Sequence, residues 1–166
     1  MSNVMKDYYQ ALINKEMVDR GVLENILKMR WIREGYQSKS HEETAFVRAK
    51  EILAAYARDN ANQSRLPIAL ELPFQYQVGY LKVLGRIDRI DMTEDGKMEI
   101  IDYKTGENLP DEKKLKTNLQ LTMYALAASK INDSVFKQNA PENVLLSLYY
   151  LDSGVKLTTM RTKEQL

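Results

Sequence analysis

Residues 85–106 run Gly85-Arg86-Ile87-Asp88-Arg89-Ile90-Asp91-Met92-Thr93-Glu94-Asp95-Gly96-Lys97-Met98-Glu99-Ile100-Ile101-Asp102-Tyr103-Lys104-Thr105-Gly106. Two runs with apolar residues at strand spacing flank Glu94-Asp95-Gly96, which reads as a turn between two β-strands. With Gly96 in the left-handed position of a bulged three-residue loop, Thr93 faces Lys97, and the register runs back from there. That register sets Asp88 directly opposite Asp102 on one side of the sheet. Alternation along the strand puts Lys104 on the face of Asp102 and turns Tyr103 to the other.

Directly opposed residues have Cβ atoms about 4.5–5.5 Å apart, and two carboxylates that close repel unless a cation lies between them. Lys104 would neutralise one acid and leave the second uncompensated, so a divalent ion resolves the conflict. Glu71, polar within Leu70-Glu71-Leu72-Pro73-Phe74, is either a third carboxylate, if its strand lies beside the others, or a solvent-facing strand residue. A carboxylate-held Mg²⁺ keeps waters, accepts substrate phosphate, and can generate a nucleophile from water. The chemistry this points to is phosphodiester hydrolysis, with Lys104 orienting the attacking water or offsetting transition-state charge. Arg86 is placed to meet phosphate, whereas Arg89 points to the opposite face.

Outward from this pair the period changes. Residues 1–60 read as helical: they contain no proline, and Tyr8, Leu12, Ile13, Leu23, Ile26 and Leu27 recur at helical spacing. Ser40 and Glu43 form a capping box for a helix over about 41–59, with Phe46, Ala49, Ile52, Leu53 and Tyr56 as its stripe. The polar stretch from Arg58 to Arg65 reads as a loop. A first strand spans Ile68 to Gln77, a second Tyr80 to Asp91 and a third Lys97 to Lys104, followed by one helix over about 112–131 that buries Leu115, Leu119, Met123 and Leu126. Strands over Asn143–Leu151 and Val155–Arg161 close the chain. The expected order is helices, βββ, α, ββ, within a single domain over 1–166 whose helical part is 1–60 and whose core is 67–161. Lys113 and Lys116 belong to a small basic run expected near the acids, a candidate DNA contact.

Composition narrows the chemistry. The chain has 166 residues, no cysteine and one histidine, so thiolate nucleophiles, disulfides and iron–sulfur clusters are excluded and any metal is held by oxygen, Mg²⁺ or Mn²⁺ before Zn²⁺. A formal charge of +1 neither demands nor forbids nucleic acid. No apolar run approaches the roughly 20 residues of a membrane helix, and no secretory signal pattern opens the chain, so a cytoplasmic setting without membrane contact is expected.

Gly85-Arg86-Ile87-Asp88-Arg89-Ile90-Asp91, the strand-ending Asp102-Tyr103-Lys104, and Gln120 with Tyr124 four residues on resemble, as a set, the RecB-type exonuclease family of the PD-(D/E)XK nuclease superfamily. The likeness covers roughly residues 68–127. It implies a restriction-endonuclease-like α/β fold, a central mixed sheet of about five strands flanked by helices. By the same likeness Asp88, Asp102 and the Tyr103 carbonyl bind Mg²⁺ or Mn²⁺, and Lys104 is the catalytic lysine. Glu71 matches the upstream acid, and Gln120 and Tyr124 match the helical pair, whose i, i+4 spacing puts them on one helix face. DNA is the implied substrate and a helicase, in cis or in trans, the implied partner. Family members usually carry a metal-binding histidine on an early helix behind a glycine; His41 lacks that context. The stretch from Arg30-Trp31 to Tyr56 is similar to the segment immediately after that helix in helicase-linked members. A piece of a longer helicase–nuclease is therefore one expectation, and a non-catalytic DNA-binding module another.

Overall fold

Pro67 marks the change from helical to extended backbone. The computed structural model describes residues 1–63 and 65–166, so Ser64 of the expected Arg58–Arg65 loop lies outside the described residues. The chain divides into two compact units, Met1–Leu66 and Pro67–Leu166.

The first unit holds α1 (Ser2–Ile13), α2 (Arg20–Arg30) and α3 (Lys39–Asp59). The early apolar residues therefore form two helices, because Asp19 caps a new one by accepting from the Val22 N–H. α3 begins two residues before the expected point. Ser38, not Ser40, accepts the His41 N–H at 3.1 Å, so the predicted capping box is not the cap used. Met5, Tyr8, Tyr9, Leu27, Leu53 and Tyr56 are buried, and the Tyr9 and Tyr56 hydroxyls meet at 2.6 Å, satisfying each other's polar ends. Trp31 stacks on Tyr36 and donates to Glu42, which accounts for it as a packing residue.

The second unit is a five-stranded mixed sheet in the order β1-β2-β3-β4-β5. Its strands are β1 (Ala69–Val78), β2 (Leu81–Met92), β3 (Met98–Lys104), β4 (Val144–Tyr150) and β5 (Val155–Thr159). All neighbours are antiparallel except β3 and β4. A parallel pair needs a long crossover, supplied here by α4 (Glu112–Lys116) and α5 (Leu119–Lys130). The expected single helix is thus two. Asn118 breaks it by accepting the Leu121 N–H at 3.0 Å, and the buried Arg161 guanidinium donates across the break to the carbonyls of Leu115 and Asn118, adding to the backbone N–H groups of Asn118 and Thr122 that they already accept.

The break also rotates the buried face. Leu119 is exposed, whereas Leu115 of the expected leucine–methionine row is buried and Leu126 packs against the core; the stripe that covers the sheet is Leu121, Tyr124, Ala125 and Ala128 at i, i+3, i+4, i+7. Ile90, Ile100, Leu146 and Leu148 meet it from below. Alternation in β1 and β2 changes phase once: Leu72, Phe74, Tyr76 and Ile87 pack into this core, yet so do Ala69 and Ile90, three residues further along each strand from Leu72 and Ile87. The step falls at Glu71 and Asp88, the one opposed position missing from the β1–β2 ladder, and Glu71 has a φ of +49°.

Candidate active site

Three local devices set the acids. The first is the turn: Thr93 N–H donates to the Lys97 carbonyl at 2.8 Å and Gly96 has a φ of +80°, the loop expected from Glu94-Asp95-Gly96. The resulting ladder pairs Arg89 with Ile101, one step before Asp88 and Asp102. The second device ends that ladder. At Asp88 the strands cease to pair through their backbones, and β3 continues beside β4 up to Lys104. Asp88 Oδ2 itself accepts the Tyr103 N–H at 2.9 Å. The expectation of a regular cross-strand pair is corrected accordingly: the register number holds, but Asp88 bonds the backbone beyond Asp102. The phase step at Glu71 and Asp88 is what turns this carboxylate toward β3.

The third device is the pair of aromatics behind the site. Gly85 faces Phe74 in the ladder, and a Cβ on Gly85 would lie 2.7 Å from Phe74 Cε1, so only glycine admits the ring there. Phe74 meets Tyr124 edge-on at 5.9 Å. The Tyr124 hydroxyl donates to Asp102 Oδ1 at 2.9 Å. Phe74 was not among the expected site residues. Its signal was the glycine inside an apolar strand, but the partner ring belongs to another strand and shows only once the register is known.

Asp102 is buried, and each of its oxygens has a charged or polar neighbour. Oδ1 also accepts from Gln120 Nε2 at 2.9 Å, and Lys104 Nζ lies 2.6 Å from Oδ2. That ion pair is off the hydrogen-bonding direction, so Oδ2 remains a buried oxygen without a directed hydrogen bond. Lys104 Nζ gives its directed bond to Gln120 Oε1 at 2.7 Å, and Gln120 Nε2 also donates to the Tyr124 hydroxyl at 2.8 Å. Asp102, Lys104, Gln120 and Tyr124 therefore form one closed network. Burial, then the Asp102 and Asp88 charges, hold the Tyr124 phenol far above its ordinary pKa, so it stays a donor.

Asp88 has no cation of its own among the described residues. Burial raises its pKa to about 6; Asp102 and Glu71 add to the rise, while the Tyr103 N–H and Lys104 oppose it. The second, uncompensated acid is thus visible as a carboxyl that resists ionising. Glu71 stands across β2 with its side chain buried, so the solvent-facing alternative does not apply. Its Oε1 has no hydrogen bond among the described residues, and Oε2 is 3.4 Å from Arg86 Nη1.

The remaining candidates fall elsewhere. Arg86 is exposed beside Glu71, with its guanidinium mostly in solvent. Arg89 is buried on the opposite face, held by Asp91 at 2.7 Å and by the Tyr103 hydroxyl. Lys113 and Lys116 lie on the exposed surface of α4, where Lys116 pairs with Glu112, and no described contact joins them to the acids. His41 is an exposed residue of the first unit, edge-on to Tyr36.

For a hard divalent ion, the donor chemistry fits. Asp88, Asp102 and the Tyr103 carbonyl are all oxygen donors, and Asp102 Oδ2 is a buried oxygen that meets the Lys104 ammonium but takes no directed hydrogen bond among the described residues. No group of three or more His, Asp or Glu side chains is gathered tightly enough to hold an ion among the described residues, and Asp88 and Asp102 are two. Two suffice for Mg²⁺, which commonly takes one or two carboxylates and completes its shell with water and phosphate.

The chain is 30% identical over 105 residues to a subunit of an ATP-dependent helicase/deoxyribonuclease of Lachnoclostridium phytofermentans; the match covers 60% of this chain and 9% of that protein. A crystal structure of an inferred exonuclease from Eubacterium rectale aligns over 100% of this chain and 61% of its own, with a TM-score of 0.48 and 15% identity. The structure of SSO0001 aligns over 96% and 64%, with a TM-score of 0.40 and 16% identity. A family profile matches residues 3–165, nearly the whole sequence, and by that match this chain belongs to the PD-(D/E)XK nuclease superfamily.

Proposed function

We propose that the chain is a metal-dependent deoxyribonuclease domain of RecB type that hydrolyses DNA phosphodiesters with Mg²⁺ or Mn²⁺. The observation that carries this reading is the shared Asp102 carboxylate, contacted by Lys104, Gln120 and Tyr124, beside a second carboxylate without a counter-ion among the described residues. Asp88, Asp102 and the Tyr103 carbonyl would hold the ion, with Glu71 beside them. When bound, it supplies Lewis acidity and a water of lowered pKa. Gln120 fixes the Lys104 ammonium at the acids, where it can orient a water or offset charge growing on a phosphoryl oxygen. The exposed Arg86 guanidinium offers two parallel donors to a neighbouring phosphate.

The helicase activity in the relative's name supports a helicase motor, in cis or in trans, as the partner that would deliver DNA, with repair or recombination as the setting. One alternative is a DNA-binding module without catalysis. A cleavage assay on single- and double-stranded DNA with Mg²⁺, Mn²⁺ or EDTA separates the two. Metal-dependent cleavage that falls about 100-fold or more in Lys104→Ala supports catalysis, since such electrostatic groups carry that much rate. Binding without cleavage by the unaltered chain supports the module.

A further inference from the structure

Between Glu71 and Asp88 the sequence holds no acidic residue, although the chain has 23 Asp and Glu in 166 positions; this segment carries Lys82 and Arg86. It is the outer half of the β1–β2 hairpin. β3 accompanies β2 only from Arg89 onward, so beyond that point the hairpin is two-stranded. One face packs inward through Phe74 and Tyr76, whose hydroxyl donates to the Met123 carbonyl. Register puts Pro73, Gln75, Gln77, Lys82, Leu84 and Arg86 together on the other face, and all six are exposed.

At the apex, Val78 pairs with Leu81 around Gly79-Tyr80. Gly79 takes a φ of +58°, as the first central residue of a type II′ turn does, and Tyr80 is left fully exposed. A hairpin turn gains nothing in folding from an exposed aromatic ring there. The ring, an apolar platform at Leu84, amides at Gln75 and Gln77, and two cations without a nearby exposed acid are the elements of a single-strand track: bases stack on π-faces and phosphates meet cations. From Tyr80 to Asp88 the strand covers about 26 Å at 3.3 Å per residue, and Arg86 ends the track beside Glu71 and Asp88.

We propose that the open face and apex of this hairpin bind an unpaired DNA strand and lead it to the acids, with Tyr80 stacking on a base and Lys82 and Arg86 holding successive phosphates. This rests on the nuclease reading, and its test separates the two. Anisotropy of fluorescein-labelled oligothymidylate and of a blunt duplex, in EDTA, is measured for the unaltered chain, Tyr80→Ala and Lys82→Ala. Both changed residues are exposed on the hairpin surface, so the fold is not at risk.

Expected are single-strand binding weakened about 10-fold in Tyr80→Ala and a salt-dependence slope lowered by about 0.7 in Lys82→Ala. In parallel, cleavage of oligothymidylate is compared with that of thymidine 5′-(4-nitrophenyl phosphate), too small to reach the apex. The oligonucleotide-to-ester rate ratio should fall about fivefold or more in either variant. Unchanged affinity and slope in both variants overturn the proposal, as does equal loss on both substrates. Stronger binding of the blunt duplex than of the single strand, or self-association abolished by Tyr80→Ala with DNA binding intact, overturns it in favour of another occupant. Should the unaltered chain cleave neither substrate, the nuclease reading fails, and the anisotropy still decides the track.

Discussion

Asp88 holds the residue-scale tension of this site. Its pKa in the folded chain is about 6 against an ordinary 3.8, with burial the largest cause. A raised carboxyl pKa means that the folded state binds the proton more tightly than the unfolded one. Below about 3.8 both states are protonated and nothing is lost; as pH rises to about 6, ionisation costs the folded state, and above that the loss is constant. Asp88→Asn keeps an acceptor for the Tyr103 N–H and removes the charge. In metal-free buffer it should be more stable than the unaltered chain by about 1–2 kcal/mol at pH 7, less than the full shift implies because the group is partly solvated. At pH 3.5 the two should unfold alike. Urea denaturation at the two pH values checks this; equal stability at pH 7 would mean that the carboxyl ionises freely. Stabilisation at the cost of cleavage is the signature of a group kept for chemistry.

At the scale of elements, the hairpin and helix α5 are locked together by Gly85, Phe74 and Tyr124. Gly85→Ala forces the Phe74 ring away from β2, an overpacking cost of about 1–3 kcal/mol. Because that ring abuts Tyr124, cleavage should fall as well, and Phe74→Leu combined with Gly85→Ala should recover part of both losses. Thermal melts and DNA cleavage of the two single variants and the double one read this coupling; strict additivity would show that the ring does not transmit it. Legibility depends on the range of the forces involved. The Thr93–Lys97 loop, the Arg89–Ile101 register and the shared face of Asp102 and Lys104 depend on turn chemistry and a period of two, which a linear reading contains. The phase step at Glu71 and Asp88 was invisible because a glutamate at positive φ has no local signature. The break at Asn118 was masked by the i, i+4 pair Leu115 and Leu119, and the Arg161 side chain that bonds the carbonyls on either side of it is distant in sequence.

For the whole molecule, ion binding and folding stability are one linked quantity. The proposed ligating set draws on β2 and β3, so it would exist only in the folded chain, and an ion bound there must raise the unfolding temperature with concentration. At 100 times its dissociation constant the gain is about 2.7 kcal/mol. For a chain near this size that is a shift of roughly 5–10 °C. Mn²⁺ titration of the unaltered chain followed by calorimetric melts should trace that rise and then its slow logarithmic continuation. Asp102→Asn keeps the hydrogen bonds from Gln120 and Tyr124 to an oxygen but withdraws a charged donor, so its melting temperature should barely respond to the same titration, whatever its starting value. The difference between the two responses, not either temperature alone, measures the site. An equal rise in both would place the ion on other surface carboxylates and remove Asp102 from the ligand set, while leaving the Lys104–Gln120–Tyr124 network as a purely structural polar cluster.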